Sequence, residues 1–262
     1  EWYQEMDDLD DFSNYPGIRA LMEAQAEWVE AKWIDSLDAY DRQTMQAQIP
    51  NISCRVQLPN YFYIPSDLYY TYGPILSREI INKGKMAALN EALGEYKRTG
   101  LTNLPTSEQI YSSEKYFANE RYDVIEIADV EIGNFELIDE GTIGSLDIVY
   151  LLQDTIGPIP AITAAVGIGG GSWKDYVDPS GNLVMTVKIS GDTSADLDEI
   201  YDAYILWGDT QKRFTEVVEQ YNGLIYKGST NVWISKQNGF VKMVLSQDLN
   251  IIDEISSQLG DL

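Results

Sequence analysis

The clearest hydrophobic pattern in the chain is a pair of alternating runs near its end. The two runs lie within residues 223–247 and flank the dipeptide Asn238-Gly239. Asparagine and glycine both accept the positive φ that a two-residue hairpin turn requires, so this pattern predicts a β-hairpin. Apolar side chains occur on both faces of its arms, which indicates a hairpin that is covered on both sides.

Apolar residues at helical spacing dominate the first part of the chain. Residues 14–48 predict one long amphipathic helix with Asn14 as its cap, residues 77–98 predict a second helix, and residues 107–119 predict a short third one. Between the first two helices, residues 52–58 alternate like a strand. A proline-punctuated, tyrosine-rich segment follows this strand and is predicted to be a long loop.

The pattern becomes strand-like at residue 122. Alternation over residues 125–137 predicts strands with acidic outer faces, and the apolar run 146–152 predicts a more buried strand. Further strands are predicted at 173–177 and 183–189, on either side of the turn sequence 178–182. Helices are predicted at about 194–221 and 248–259.

These elements predict an α+β protein with a helical N-terminal half and a mainly antiparallel β-sheet C-terminal half with inserted helices. The predicted regions are 1–120, an acidic arm followed by helices and the aromatic loop, and 121–262, which is β-rich. At 262 residues and 44% hydrophobic content, the chain is long enough for one large or two ordinary domains with a real core.

The charge balance is strongly acidic. Forty-two acidic residues against 18 basic ones give a formal charge of −24, which repels nucleic acid, so no nucleic-acid partner is expected. Such a charge is offset by cations, either as diffuse counterions around a solvated acidic surface or as bound calcium. The sequence contains no apolar run of about 18 residues, so no transmembrane segment is predicted.

The residue inventory excludes several kinds of catalytic site. The chain has no histidine, which excludes serine–histidine and cysteine–histidine nucleophiles and histidine zinc sites. Cys54 is the single cysteine, so it forms no intrachain disulfide; burial within the predicted strand and an intermolecular bridge both remain open. The glycine-rich run 166–172 lacks the lysine and hydroxyl spacing of a phosphate-binding loop, which favours a flexible turn or a close-packed backbone. We therefore predict that the protein is not an enzyme and has no cofactor other than possible calcium.

Two observations bear on localisation. The chain begins at Glu1, as a chain would after removal of a signal peptide, so an extracellular or cell-surface location is expected. Asn51-Ile52-Ser53 is a glycosylation sequon in a plausible surface turn, and Asn51 is the predicted acceptor.

Two aromatic segments are candidate interfaces. Residues 1–13 combine acidic residues with large apolar groups, which predicts an arm that docks on its own domain or on a neighbouring copy. Tyrosines of the predicted loop suit an interface because a rigid amphipathic ring supplies contact area at low entropic cost, although they also suit a cover over the core. The predicted interface residues are Trp2, Tyr3, Phe12, Tyr61, Tyr63, Tyr69 and Tyr70.

Acidic residues also crowd the start of the helix predicted from residue 194. Carboxylates in a first helical turn stabilise the positive end of the helix dipole, so capping is the favoured interpretation. The alternative is a calcium site formed by Asp192, Asp196 and Asp198, although their spacing does not fit the EF-hand pattern.

One short stretch carries a family resemblance. Val232-Trp233-Ile234-Ser235-Lys236, followed by a turn and Val241-Lys242-Met243, resembles the closing strands of LolA-like lipoprotein domains. The resemblance covers about a quarter of the chain. It implies a curved antiparallel sheet wrapped around helices, in a family whose members often hold lipid.

These observations favour an extracellular, self-assembling structural protein. The predicted docking of the acidic arm, the tyrosines and the acidic strands suggest a cation-stabilised subunit of a surface layer, sheath, filament, virion or other cell-envelope structure, with copies of itself as partners. The first alternative is an extracytoplasmic LolA-like carrier or sensor of an apolar ligand. The second is a carboxylate-based glycosidase, which needs two acids roughly 5 to 9.5 Å apart in a cleft.

Overall fold

The computed structural model describes residues 16–48, 62–99 and 105–260. The chain divides into two compact units, Glu1–Glu120 and Arg121–Leu262, which we call the helical unit and the sheet unit. The first unit is helical and the second contains an antiparallel sheet, which confirms the predicted α+β class. No helix in the described ranges has both the length and the apolar character needed to cross a membrane.

The helical unit is built around its first long helix. The N-terminal half of that helix is buried against the later helices, with Leu21, Leu68 and Leu89 among the fully enclosed side chains. The described elements are α1 (Pro16–Ser36), α2 (Ala39–Gln48), α3 (Ile64–Asp67), a π-helix (Leu68–Tyr72), α4 (Gly73–Thr99), α5 (Ser107–Tyr111) and α6 (Ser113–Ala118).

The predicted single helix over residues 14–48 is wrong, because the described part consists of two helices. The backbone N–H of Asp41 donates a 2.8 Å hydrogen bond to the Asp38 carboxylate, so Asp38 caps the start of α2. The hydroxyl of Ser36 bonds back to the carbonyl of Trp33 at 2.6 Å, where α1 ends. Side-chain hydrogen bonds at Ser36 and Asp38 therefore interrupt a helix that the apolar spacing predicted to be continuous.

The aromatic segment predicted as a loop is helical where the structure describes it. Pro65 lies in the first turn of α3, where its missing N–H costs nothing. Ile64, Leu68 and Tyr69 are buried, and the guanidinium of Arg19 lies 4.8 Å from the Tyr69 ring. Burial of one face thus stabilises a helix that leads directly into α4. The predicted third helix is likewise two short helices, α5 and α6.

The sheet unit contains a seven-stranded sheet in which every neighbouring pair is antiparallel. The order of the strands across the sheet is β1-β2-β3-β7-β6-β5-β4. Its elements in chain order are β1 (Glu136–Thr142), α7 (Ser145–Ile156), α8 (Pro158–Val166), β2 (Ile168–Val177), β3 (Leu183–Gly191), α9 (Ser194–Thr210), β4 (Glu216–Gln220), β5 (Gly223–Lys227), β6 (Asn231–Gln237), β7 (Phe240–Ser246) and α10 (Leu249–Gly260).

Helices cover both faces of this sheet. Two neighbouring residues of β5 show which helices cover each face, because successive side chains of a strand point to opposite faces. Ile225 packs in a buried cluster with Ile252 and Ile255 of α10. Tyr226 points the other way and donates a 3.2 Å hydrogen bond to the carbonyl of Ile205 in α9. The central strands are therefore enclosed between α10 on one side and α9, with α7 and α8 packed on it, on the other.

The predicted hairpin is confirmed as β6 and β7. Asn238 and Gly239 have φ values of 54° and 80°, as a tight hairpin turn of the favoured hand requires. Trp233 and Ile234 point to opposite faces and are both fully buried, so the hairpin is covered on both sides as predicted. The strands around residues 178–182 and the final helix are confirmed as well.

Three predictions in the sheet unit are wrong. Residues 121–132 are a coil, fixed to the sheet by the hydrogen bond from the Asp123 N–H to the Gly169 carbonyl at 2.6 Å. The predicted strand 146–152 belongs to α7, where the Asp147 carboxylate accepts a 2.7 Å bond from the Gly144 N–H at the start of the helix. The helix predicted over 194–221 ends at Thr210, and its last part forms β4.

Residues 168–172 of the glycine-rich run lie within β2, where the backbone is closely packed. A Cβ added at Gly170 would lie 2.3 Å from the backbone oxygen of Asp123, and one at Gly171 would lie 3.0 Å from Cβ of Ile143. A side chain at Gly170 would require the backbone to move, and one at Gly171 would make a contact tighter than usual. Of the two alternatives left open by the sequence, the structure supports the close-packed backbone.

Candidate interaction surfaces

The two outermost strands of the sheet, β1 and β4, form the first candidate surface, which we call the sheet edges. Both strands are exposed over nearly their whole length, on both faces. Leu137, Ile138 and Val217 are 42%, 55% and 48% exposed. In the described ranges no strand pairs with the outer side of β1 or β4. The sheet therefore ends on both sides in strands that present backbone groups and apolar side chains together.

The hairpin between β4 and β5 determines which backbone groups of β4 face outward. Tyr221 and Asn222 form its turn with φ of 54° each, and Gln220 lies opposite Gly223. In a two-residue hairpin the residues that flank the turn form a hydrogen-bonded pair, and hydrogen-bonded pairs then alternate along the strands. The backbone N–H groups of Val217 and Glu219 consequently point away from β5, toward the open edge.

Both sheet edges carry acidic side chains. The acidic residues of β1 and β4 are Glu136, Asp139, Glu140, Glu216 and Glu219. Some are balanced within the unit: the Lys174 ammonium lies 3.5 Å from the Glu140 carboxylate, and the Lys227 ammonium lies 3.0 Å from that of Glu216. Asp139 instead lies opposite Asp175 on β2. Burial, and after it the charge of Asp139, raises the pKa of Asp175 above its ordinary value. Like charges thus meet at the β1 edge.

A groove between α1 and α4 is the second candidate surface, which we call the helical groove. Its volume is about 750 Å³. The side chain of Gln25 donates a 3.2 Å hydrogen bond to that of Asn90, which links the two helices. The apolar lining comes from Met22, Ala26, Val29, Trp33 and Leu93, with Gly94 beside them.

The groove lies where α1 changes from buried to exposed. Every buried residue of α1 lies within Gly17–Ala24, whereas Val29 and Trp33 are each 54% exposed. Large apolar side chains therefore face solvent along the second half of this helix. Glu23, Glu27 and Glu30 follow at helical spacing on an adjacent face, so an acidic stripe runs beside the apolar lining.

The structure separates the predicted interface tyrosines. Tyr63 and Tyr70 are 45% and 48% exposed, whereas Tyr69 is only 7% exposed and packs inside the helical unit. A hydrogen bond to Glu23 raises the pKa of Tyr70. The remaining predicted residues, Trp2, Tyr3, Phe12, Tyr61 and the glycosylation acceptor Asn51, lie outside the described residues, as does Cys54.

The acidic residues at the start of α9 have separate partners. The Asp196 carboxylate accepts bonds from the Thr193 N–H at 3.0 Å and the Thr193 hydroxyl at 2.6 Å, and Thr193 accepts from the Asp196 N–H in return. The Asp198 carboxylate forms an ion pair with Lys236. The backbone N–H of Asp192 bonds to the Gly167 carbonyl at 3.0 Å. The capping interpretation is confirmed, and a calcium site at these three residues stays a prediction.

The residues that carry the LolA-like resemblance lie in the central hairpin. The Trp233 indole N–H donates to the Gln220 carbonyl at 3.3 Å. Lys242 is buried, and its ammonium donates a 2.5 Å bond to the Leu259 carbonyl in α10. Burial, and then the neighbouring charge of Lys188 on β3, lowers the pKa of Lys242. These side chains hold the sheet and the last helix together.

Comparison of the chain with protein-family models, with curated proteins and with solved structures found no match. The LolA-like resemblance therefore stays a prediction, and so do the carrier and glycosidase alternatives. The two candidate surfaces are defined by geometry and charge alone.

Sequence patterns alone do not show where either candidate surface lies. Val29 and Trp33 belong to the same apolar stripe as Ile18 and Leu21, and periodicity alone does not tell which half of a stripe packs inside its own domain and which half is open to a partner. β4 was included in a predicted helix. The signal that would have found it is the pair Tyr221-Asn222 before Gly223, although tyrosine is an unusual residue for a position with positive φ.

Proposed function

We propose that this protein is a non-enzymatic structural subunit that assembles outside the cell, with copies joined through their sheet edges. The observation that carries the proposal is the pair of exposed outer strands, β1 and β4, which end one sheet at opposite sides. An unpaired strand is a template for another strand, because its N–H and C=O groups need partners.

The position of the two edges determines the kind of assembly. If β4 of one copy pairs with β1 of the next, the resulting pair still presents one free β1 edge and one free β4 edge. Such a head-to-tail contact continues without end unless the rotation between copies closes a ring. A filament, a sheath or a row within a surface layer is therefore the expected product.

Charge makes this contact dependent on cations. Pairing β1 with β4 brings Glu136, Asp139 and Glu140 close to Glu216 and Glu219, in a chain of net charge −24. Salt screens such repulsion over about 10 Å at roughly 0.1 M ionic strength, and calcium binds carboxylate oxygens directly. We therefore expect assembly in calcium or high salt, and dispersed chains at low salt with chelator.

Light scattering of the full chain tests the proposal. The informative variant is Val217→Pro, which removes an outward N–H at a position where an edge strand tolerates proline. Its matched control is Val217→Thr, which keeps the N–H and the strand propensity. We expect large particles in calcium for the parent chain and Val217→Thr, and much smaller ones for Val217→Pro.

Two results would contradict the proposal. One is a parent chain that stays monomeric at high concentration in both calcium and high salt. The other is a Val217→Pro variant, folded by circular dichroism, that assembles as readily as Val217→Thr.

A further inference from the structure

We infer that the helical groove binds a basic amphipathic helix from a partner protein. This inference is independent of the proposed assembly, since the groove belongs to the helical unit and the sheet edges belong to the sheet unit. The groove is mostly apolar, about three helical turns long, and bordered by acidic residues, and each property restricts the occupant.

The apolar lining requires an apolar surface on the partner. Met22, Val29 and Trp33 present hydrophobic side chains on one side of the groove, and Leu93 presents another from α4. Val29 and Trp33 retain about half of their surface exposed to water, which a bound apolar stripe would remove. Recognition of this kind uses side chains at positions i, i+3, i+4 and i+7 of a helix.

The length of the groove suits a short helix. Met22 and Trp33 are 11 positions apart on α1, which corresponds to about 17 Å along the helix axis. A partner helix of about three turns that lies along α1 would cover this distance.

Charge selects a basic partner over the acidic candidates. Glu30 lies in the groove, and Glu23 and Glu27 continue the acidic stripe along α1. Lysine or arginine beside the apolar stripe of a partner helix would meet these carboxylates. The chain's own residues 1–13 contain six acids and no base, and a second copy carries −24, so both occupants would add repulsion.

The test uses the full chain and fluorescein-labelled peptides of about 14 residues, long enough to cover the groove. The probe has a leucine stripe with lysines on its other face. One control peptide has the same composition in a scrambled order, and another has glutamate in place of lysine. Fluorescence anisotropy should show the probe binding at least about tenfold more tightly than either control peptide.

A variant with one added negative charge separates the groove from general attraction to an acidic protein. Val29→Asp increases the negative charge, so a peptide held by charge alone would bind more tightly. We expect it instead to weaken binding at least about tenfold, because it places a carboxylate against the apolar stripe. Val124→Asp is the matched control at a residue that is 90% exposed in the sheet unit, and it should change the Kd less than about twofold.

Two further variants keep the test decisive. Trp33→Ala removes apolar surface without adding charge and should weaken binding severalfold. Replacing Glu23, Glu27 and Glu30 by glutamine should weaken binding at low salt and reduce its salt dependence.

Several outcomes would overturn the inference. They are equal binding of the scrambled peptide, unchanged or tighter binding to Val29→Asp, and binding that appears only after residues 1–13 are removed. The last result would assign the groove to the chain's own arm. Self-association of the chain that Val29→Asp abolishes, without any peptide binding, would assign it to a second copy.

Discussion

The two units leave different parts of the chain open to solvent. The sheet unit encloses the side chains of its central strands between helices and exposes the backbone of its outer strands. The described part of the helical unit forms most of its backbone hydrogen bonds within helices and exposes apolar side chains along the second half of α1. An exposed strand recruits another strand largely regardless of sequence, whereas an exposed helix face recruits a partner of matching side chains. The first surface suits assembly of identical copies, and the second suits recognition.

Charge is also arranged differently in the two units. The sheet unit contains 23 acids and eight bases, for a net charge of −15, and the helical unit contains 19 acids and ten bases, for −9. The sheet unit uses five of its lysines within its own structure: Lys174, Lys188, Lys227, Lys236 and Lys242. Few of its cations are left to neutralise a neighbouring copy, and the proposed cation dependence follows from this arrangement.

The largest expected difference in stability is between alanine variants of two tryptophans. Trp233 is fully buried in the sheet unit, and Trp33 is 54% exposed in the helical groove. Trp233→Ala should lower the free energy of unfolding by about 3–5 kcal/mol, because it leaves a cavity in a packed core. Trp33→Ala should change it by less than about 0.5 kcal/mol. Denaturant unfolding measures both, and equal effects would contradict the assigned environments.

Two glycines of the helical unit should respond in opposite directions. A Cβ at Gly17 would lie 1.8 Å from the Pro105 backbone oxygen, whereas one at Gly94 meets nothing within 4 Å. Gly17→Ala should destabilise the protein by about 1–3 kcal/mol through overpacking. Gly94→Ala should stabilise it by roughly 0.5–1 kcal/mol through helix propensity. The melting temperatures of both variants provide the measurement, and a stabilising Gly17→Ala would show that α1 does not pack as described.

The cap between α1 and α2 should have a moderate effect. Asp38→Ala removes the acceptor of the Asp41 N–H and should cost about 0.5–2 kcal/mol of helix stability. Asp38→Asn is the control, since asparagine caps nearly as well. Amide hydrogen exchange over residues 39–48 should be faster in Asp38→Ala alone. Faster exchange in both variants would mean that the charge, rather than the hydrogen bond, stabilises α2.

The smallest expected effect on stability concerns Asp175 and Asp178 of the sheet unit, whose pKa values shift in opposite directions. Burial and Asp139 raise the pKa of Asp175 above the ordinary 3.8. As the pH rises, the Asp175 carboxyl therefore loses its proton at a lower pH in the unfolded chain than in the folded protein. The free energy of unfolding falls as the pH rises through the interval above 3.8. Asp175→Asn should stabilise the protein at pH 7 by about 0.2–1 kcal/mol, with the gain limited because water screens a partly exposed pair. Below pH 3.8 the gain should disappear.

Asp178 provides the comparison. The side chain of Asn182, followed by the backbone N–H groups of the turn, lowers the pKa of Asp178. Its contribution to stability is present above pH 3.8 and is lost as the pH falls through the folded-state pKa. Asp178→Asn should therefore lower the melting temperature at pH 7. Thermal melts at several pH values check both variants, and shifts of the same sign would contradict the assignment.

Local signals account for the elements that the sequence predicted correctly. Asn238-Gly239 fixes the central hairpin because only a few residues accept its backbone angles. Thr193 and Asp196 define the start of α9 through a reciprocal cap that involves four consecutive residues. The antiparallel sheet and the helical first half follow from these patterns and from the periodicity around them.

Elements whose conformation depends on packing against neighbouring elements could not be predicted from local sequence patterns. Apolar spacing in α7 fits a short buried strand as well as a helix, and packing against α8 and α9 decides the outcome. The aromatic segment before α4 is helical because its conformation buries Ile64, Leu68 and Tyr69 within the helical unit. The sheet edges and the helical groove are exposed because no other described element packs over them. A local sequence pattern does not show which surfaces other elements cover.

The central claim is that strand pairing between copies occurs at β1 and β4. Amide hydrogen exchange, resolved by peptide segment, tests it most directly when the same chain is compared in calcium and in chelator. We predict slower exchange in calcium over residues 136–142 and 216–220, because outward N–H groups such as those of Val217 and Glu219 gain acceptors. Assembly in calcium without added protection in either segment would contradict the claim and assign the contact to another surface.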